Sequence, residues 1–350
     1  MIAAFSLALA LWSAPAPTLS PRDIEAQIDA GQLEEAAAAL EATDLAPLAR
    51  ATLEGRLALA NGKPKRAADR FERAVELAPE HPPLRLLWAH ALLQSNEPDA
   101  VPAALKPLDA TDPAVAVLLS AAADANDDPA AAYDVLQAAA LAHPKETDLR
   151  RQLVLLCARE GLLSAAQSWI ETLTPEVLGL DLTLAVLQEL RSDAHALPLA
   201  RMLAGAFAED AGVQAQLGWV ASAAGATTEA ARAFERAVRL GADEAYAAAE
   251  HARAAGRHRD ALRMNARVAD DAVRQSQRFD IVFESGALAQ AIVAGRALDA
   301  AGRLDPRRRY NLAYAHYALQ RYGEASALAR ALNDTDQATR GRRLLQAMGR

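Results

Sequence analysis

The chain is poor in most of what catalytic sites are built from. It holds one cysteine, Cys157, in 350 residues, so no internal disulfide can form and bridges say nothing about its compartment. Cys157 lies in the apolar run Leu153-Val154-Leu155-Leu156-Cys157-Ala158, with no histidine nearby, and reads as a buried, inert thiol. Aromatic residues make up 5% of the chain, too few for a thick aromatic core. Alternating β-branched runs are missing, which argues against strands. Past the first residues no stretch of about 18 unbroken apolar residues occurs, so no later spanning helix is expected. There is no glycine-rich phosphate loop, dinucleotide fingerprint or G-x-S-x-G elbow. The seven histidines (His81, His90, His143, His195, His251, His258 and His316) never take the i, i+4 spacing with an intervening Glu that a zincin needs. They read as surface histidines, and no metal is expected. Asp127-Asp128 and Asp270-Asp271 point in different directions on a helix, so they read as turn or cap residues. The expectation is a chain without cofactor and without catalytic centre.

What the chain does have is alanine and repetition. Hydrophobic residues are 52% of the composition, much of it alanine, the best helix former. The stretch Ala67-Ala68-Asp69-Arg70-Phe71-Glu72-Arg73-Ala74-Val75-Glu76-Leu77 returns as Ala230-Ala231-Arg232-Ala233-Phe234-Glu235-Arg236-Ala237-Val238-Arg239-Leu240. Each copy follows a glycine turn, Gly62 or Gly225, and an earlier helical run. The unit is therefore helix–turn–helix, and such units stack on their neighbours.

Taken in order, Ser20 with Pro21 predicts a capped helix start, and helix pairs follow to about residue 333. Their turns fall at Gly31, Gly62, Ser95-Asn96, Asn126, Gly161, Ser192-Asp193, Gly225 and Gly256. Second helices are expected at 98–109 and 162–173. A pair is expected at 176–191 and 195–210, a less regular pair across 275–302 with Gly286 at its turn, and a last pair at 307–320 and 323–333. Glycine supplies the left-handed residue that ends the first helix. Pro79, Pro113, Pro144 and Pro175, spaced 34, 31 and 31 residues, are expected to fix unit boundaries.

These residues carry a resemblance to the tetratricopeptide repeat. Ala67, Phe71, Ala74 and Pro79 fit one copy of its second-helix pattern. Ala230, Phe234 and Ala237 fit another, with Ala242 where proline is usual. Ala132, Leu136, Ala139 and Pro144 fit a third, and Val101, Leu105, Leu108 and Pro113 a weaker fourth. Gly55 and Leu217-Gly218 fall on its small close-contact positions. Where the family usually has tryptophan, this chain has Ala51 and Gln214. The resemblance covers most of residues 20–335. It implies an all-α fold, a right-handed α-solenoid or superhelix of about nine to ten helix-turn-helix pairs. Residues 20–335 would form the repeat domain and 336–350 a C-terminal capping helix. It also implies that first helices line a concave groove.

Candidate binding residues follow from that implication. Arg307-Arg308-Arg309-Tyr310-Asn311-Leu312-Ala313-Tyr314-Ala315-His316-Tyr317 opens the last pair. Tyr310, Tyr314 and Tyr317 share one helical stripe at i, i+4 and i+7. With Arg307 and Asn311 they are candidate partner contacts, since interfaces favour tyrosine and arginine; the competing reading is that the stripe is core. Trp219 and Arg56 hold comparable first-helix positions. The carboxylate clamp of some co-chaperone domains, Lys and Asn on successive first helices, is absent: the matching residues are Thr52 and Arg56, then Leu86 and His90. Net charge is −8, yet from Arg296 onward 11 Arg face five acids, leaving +6 there and −14 elsewhere. That asymmetry can steer a partner, or it can mark a solvated cap. Overall acidity argues against nucleic acid.

Residues 2–14 are apolar and uncharged and fit a signal h-region ahead of Ala14 and Ala16. Against this, no Lys or Arg precedes Arg22, and Pro15 and Pro17 follow the best cut positions. The expectation is a signal or apolar segment over 1–19 and a periplasmic or secreted protein, with a cytoplasmic one as alternative. The function expected is a non-enzymatic scaffold binding a protein partner's peptide or helix in the concave groove, with a homo-oligomer as one form it can take. The alternatives are a helical-superhelix cell-wall glycan-processing enzyme or a structural or assembly subunit of an envelope complex.

Overall fold

Alanine-rich hairpins bury small side chains against one large one, and this rule builds the chain. The computed structural model describes residues 19–349; the expected signal segment lies outside them apart from Leu19. Among the described residues there are twenty-one α-helices and no strand. They form ten hairpins and a closing helix. The first five hairpins are α1 (Pro21–Asp29) with α2 (Leu33–Ala42), α3 (Pro47–Ala60) with α4 (Pro64–Leu77), α5 (Pro82–Gln94) with α6 (Val101–Leu105), α7 (Pro113–Ala125) with α8 (Pro129–Ala142), and α9 (Thr147–Arg159) with α10 (Leu163–Ile170). The next five are α11 (Pro175–Glu189) with α12 (Leu197–Ala206), α13 (Ala211–Ala223) with α14 (Thr227–Arg239), α15 (Ala245–Ala254) with α16 (His258–Asn265), α17 (Asp271–Glu284) with α18 (Leu288–Ala300), and α19 (Pro306–Ala318) with α20 (Tyr322–Arg330). The closing helix is α21 (Ala338–Ala347). The all-α solenoid class expected from sequence is what is found. The chain divides into two compact units, one up to Leu156 and one from Cys157.

Starts and stops follow local chemistry. Ser20 caps α1 in a reciprocal box with Asp23 and Pro21 opens the helix. Asp128 caps α8 and Asp270 caps α17. First helices end on a left-handed residue: Gly31, Gly62, Asn96, Asp127, Gly161, Gly225, Gly256, Gly286 and Gln320. The first five lie 31, 34, 31 and 34 apart, and the last four 31, 30 and 34. In the 126–128 turn it is Asp127, not Asn126, that takes this conformation. At Gly62 the next amide, Lys63, bonds back to the Ala58 carbonyl at 2.9 Å, the bond that closes a Schellman turn.

In the hairpin core, residues 16 positions apart meet. Gly55 faces Phe71 so closely that an added Cβ would lie 2.6 Å from the ring. Gly218 faces Phe234 at 2.7 Å on the same measure. Both rings are fully buried. Phe234 also stacks on His251 of the next hairpin at 5.2 Å, so it fills the wedge between neighbours. In α17–α18 the partners are exchanged: Phe279 stands on the first helix and Gly295 on the second. Ala89 with Leu105 and Ala313 with Ala329 share core clusters in the same register.

Adjacent hairpins are tied by pairs about one repeat apart. Arg201 meets Glu229 at 2.6 Å, Arg253 meets Glu284 at 2.6 Å and Arg308 meets Asp280 at 2.6 Å.

Several expectations are corrected. The helix expected over 98–109 is a 3-10 turn at Pro98–Ala100 and the short α6; Pro107 has no N–H to bond back to the preceding turn. α10 ends at Ile170 rather than 173. α11 is kinked at Gly179, whose φ of 68° and ψ of 158° suit glycine alone. The boundary prolines do two jobs: Pro113 and Pro175 open helices, whereas Pro79 and Pro144 lie in the turns between hairpins.

Candidate partner-binding surface

In the unit from Cys157 on, three first helices, α15, α17 and α19, present an open polar groove of about 610 Å³. α15 contributes Tyr246, Glu250 and Arg253; α17 contributes Ser276, Gln277 and Asp280. Arg303, before α19, and Arg307, on it, border the groove with Arg308. The helices are capped so that these residues recur on one side: Asp270 accepts from Ala272 and Val273 amides, and Asp305 accepts from the Arg308 amide.

The floor is a linked polar network. Asn265 Nδ2 donates to Gln277 Oε1 at 3.0 Å. Gln277 Nε2 donates to Glu250 Oε1 at 2.8 Å and to the Tyr246 carbonyl at 3.1 Å. Arg253 donates to Glu250 and to Glu284, each at 2.6 Å, and these carboxylates hold its guanidinium above the usual arginine range, the Glu250 hydrogen bond being the largest cause. Arg308 grips both oxygens of Asp280, at 2.6 and 3.2 Å, and reaches Asp305 at 2.6 Å. Burial pushes the Asp280 carboxyl above its ordinary range, with Arg308 and Arg307 opposing. Burial also works against the Arg308 charge, yet Asp280 and Asp305 together raise its pKa.

Next to this network lies an aromatic row. Phe283 of α17 meets Tyr314 edge-on at 6.2 Å, Tyr314 lies 6.3 Å from Tyr317, and Tyr317 lies 6.0 Å from Tyr322. Tyr314 is 42% exposed and Tyr246 is 52% exposed, unusual exposure for large rings in a chain so short of them.

The candidate residues are not all on one surface. Of the expected tyrosine stripe, only Tyr314 is exposed. Tyr310 and Tyr317 pack against the cluster of Ala313, Ala329 and Leu344 that seats α21, and the Arg340 guanidinium covers Tyr310 at 5.7 Å. Two alanines meet between α19 and α20, and the flanking tyrosines and Leu344 join them in one cluster. Asn311 is half-buried. Arg307 is exposed at the groove. Arg56 is spent within the chain, on Glu25 and Asp29 of α1. Trp219 is packed edge-on to Phe234 at 4.9 Å, with Arg191 over its ring at 4.4 Å. Its bond to Glu244 opposes the burial that raises that carboxyl's pKa. Sequence reasoning missed Tyr246, Glu250 and Arg253 on α15 and Asp280 on α17. Their spacing of about one repeat from Gln277, Glu284 and Arg308 was the available signal.

Elsewhere, Cys157 is fully buried and its thiol is pushed up to about 11 by burial. Among the described residues no group of three or more His, Cys, Asp or Glu could hold a metal. No described helix is long and apolar enough to cross a membrane.

The hairpins, their 16-residue core register and their glycine turns define a helical-hairpin repeat protein. Residues 58–124 match the family model described as Tetratricopeptide repeat. No curated protein matches it. Similar solved structures include the APC/C hetero-tetramer Cut9-Hcn1, 14% identical, covering 89% of this chain and 79% of that one at a TM-score of 0.35. The human IFIT1 dimer with PPP-AAAA is 16% identical over 87% of each chain, TM-score 0.31. A tetratricopeptide repeat protein from Parabacteroides merdae is 9% identical over 86% of this chain and 98% of that one, TM-score 0.33. Likeness at this level carries nothing about ligand or partner.

Proposed function

We propose that the chain is a non-enzymatic protein-interaction scaffold whose partner segment lies across α15, α17 and α19. Tetratricopeptide repeats in general serve as protein-interaction scaffolds. The observation that carries the finer reading is the exposure of Tyr246, which lines the charged groove, and of Tyr314 on α19, whose first turn borders that groove. Exposed tyrosine beside arginine is the composition of interface anchors. The ion-paired floor holds the groove in one shape, which lowers the ordering cost of binding. Hairpins follow one another through the described residues without an inserted catalytic domain. Tyr314→Ser should weaken partner binding while leaving the circular dichroism unchanged. Loss of helicity in that variant would make Tyr314 a core residue and remove the proposal.

We also propose that the protein works in the cell envelope. The support is the apolar, uncharged stretch 2–14 followed by Ala14 and Ala16. Fractionation with mass measurement of the mature protein tests it: an intact Met1 in the cytoplasmic fraction overturns it.

A further inference from the structure

Four arginines border the groove, and only two are spent. Arg253 is shared between Glu250 and Glu284, and Arg308 between Asp280 and Asp305. Arg308 donates to both Oδ1 and Oδ2 of Asp280. Arg303 and Arg307 are exposed and make no ion pair with any described residue. They border a groove whose other charged groups, Glu250, Arg253, Asp280 and Arg308, already have partners. We propose that this face selects a partner segment with an acidic side chain, which docks on Arg303 and Arg307, and with an apolar side chain that docks on Tyr314 and Phe283. This rests on the α15–α17–α19 reading above.

The charge pattern decides the class of partner. Glu250, Asp280, Glu284 and Asp305 are interleaved with the arginines. A continuous polyanion such as nucleic acid would meet these four carboxylates as well as the arginines, and like charge repels. One or two carboxylates fit between Arg303 and Arg307 without doing so. Arginine also suits the task, since its planar fork takes a carboxylate through two hydrogen bonds. The spacing sets a second requirement. Arg307 and Tyr314 are seven residues apart on α19, about 10 Å along a helix. An extended segment covers that in about three residues, so acid and apolar side chain should be about three residues apart.

The test uses a random peptide display library selected on the immobilised full-length chain. Selected peptides should be enriched in Asp or Glu about three residues from a Leu, Phe or Tyr. Their affinity should fall about tenfold in the Arg303→Ser, Arg307→Ser double variant and fall with added salt. Peptides without acidic enrichment, or unchanged affinity in the double variant, overturn the proposal. So does arginine-dependent binding of an RNA oligonucleotide by a chain that retains no acidic peptide. Ser276→Trp, which fills the groove, and Tyr314→Ser, at an exposed ring, separate the two readings. If either abolishes peptide binding and the arginine variant does not, the face is right and the acidic specificity is wrong. If none of the three changes binding, both fail.

Discussion

The hairpins α3–α4 and α13–α14 share a core and differ in face. Each sets a glycine of the first helix against a buried phenylalanine 16 residues later, Gly55 with Phe71 and Gly218 with Phe234. The residue after the glycine differs completely. In α3 it is Arg56, tied to Glu25 and Asp29 of the preceding hairpin. In α13 it is Trp219, sandwiched by Arg191 and Phe234. What repeats is the packing that makes a hairpin, and what varies is the side chain offered to neighbours. The contrast sharpens further along: the same row holds Glu250 in α15, Asp280 in α17 and exposed Tyr314 in α19.

If the shared core is the determinant of folding, damage to it should be equal in the two copies. Phe71→Ala and Phe234→Ala should each cost about 3–5 kcal/mol in denaturant unfolding. A cost in one copy only would mean that the copies are not equivalent. Gly55→Ala and Gly218→Ala should each cost about 1–3 kcal/mol, because the new methyl overlaps the phenylalanine ring. The turns should respond in the opposite sense where glycine is missing. Gln320 holds a left-handed φ of 59°, so Gln320→Gly should gain about 1 kcal/mol, whereas Gly225→Ala should lose about as much. Faces should matter least to stability: Arg56→Ala should cost about 0–1 kcal/mol, since its ion pairs are partly exposed.

A pH trend completes the series. Contrary to the surface reading of the histidines, His316 is buried in α19, and its Nδ1 has no hydrogen-bond partner among the described residues. Burial lowers its pKa below the ordinary value; Glu324 opposes, while Arg296 and Arg321 reinforce. His251, stacked on Phe234, is also lowered by burial, with Glu250 opposing. The unfolded chain therefore takes up these protons more readily than the folded one. Stability should be full above about pH 6.5 and decline as pH falls through that value. Melting temperatures between about pH 7.5 and about pH 5 should show it, and His316→Gln should flatten part of the slope.

The fold was legible because its signals are local and repeated. Gly62 and Gly225 with their following helices, and Ser20 with Pro21, read directly as turns and caps. Where partners trade places the signal fails: Phe279 and Gly295 keep the 16-residue register with the aromatic on the first helix, so α17–α18 looked irregular. The kink at Gly179 has no sequence signal of its own, since only a backbone conformation reveals it. The candidate surface was legible in part. Arg307 and Tyr314 reach it, while Tyr310 and Tyr317 are drawn into the seat of α21. Helical spacing places residues on a stripe, but only the closing helix decides how much of that stripe stays open.

The most direct measurement is site-specific photo-crosslinking in cells that make the full-length chain. A crosslinker replaces Tyr246, Tyr314 or, in the other unit, Arg56. A discrete partner adduct from positions 246 and 314, absent from position 56 and lost in the Arg303→Ser, Arg307→Ser double variant, is the predicted result. Adducts from position 56 alone would contradict it and move the binding face to the unit ending at Leu156.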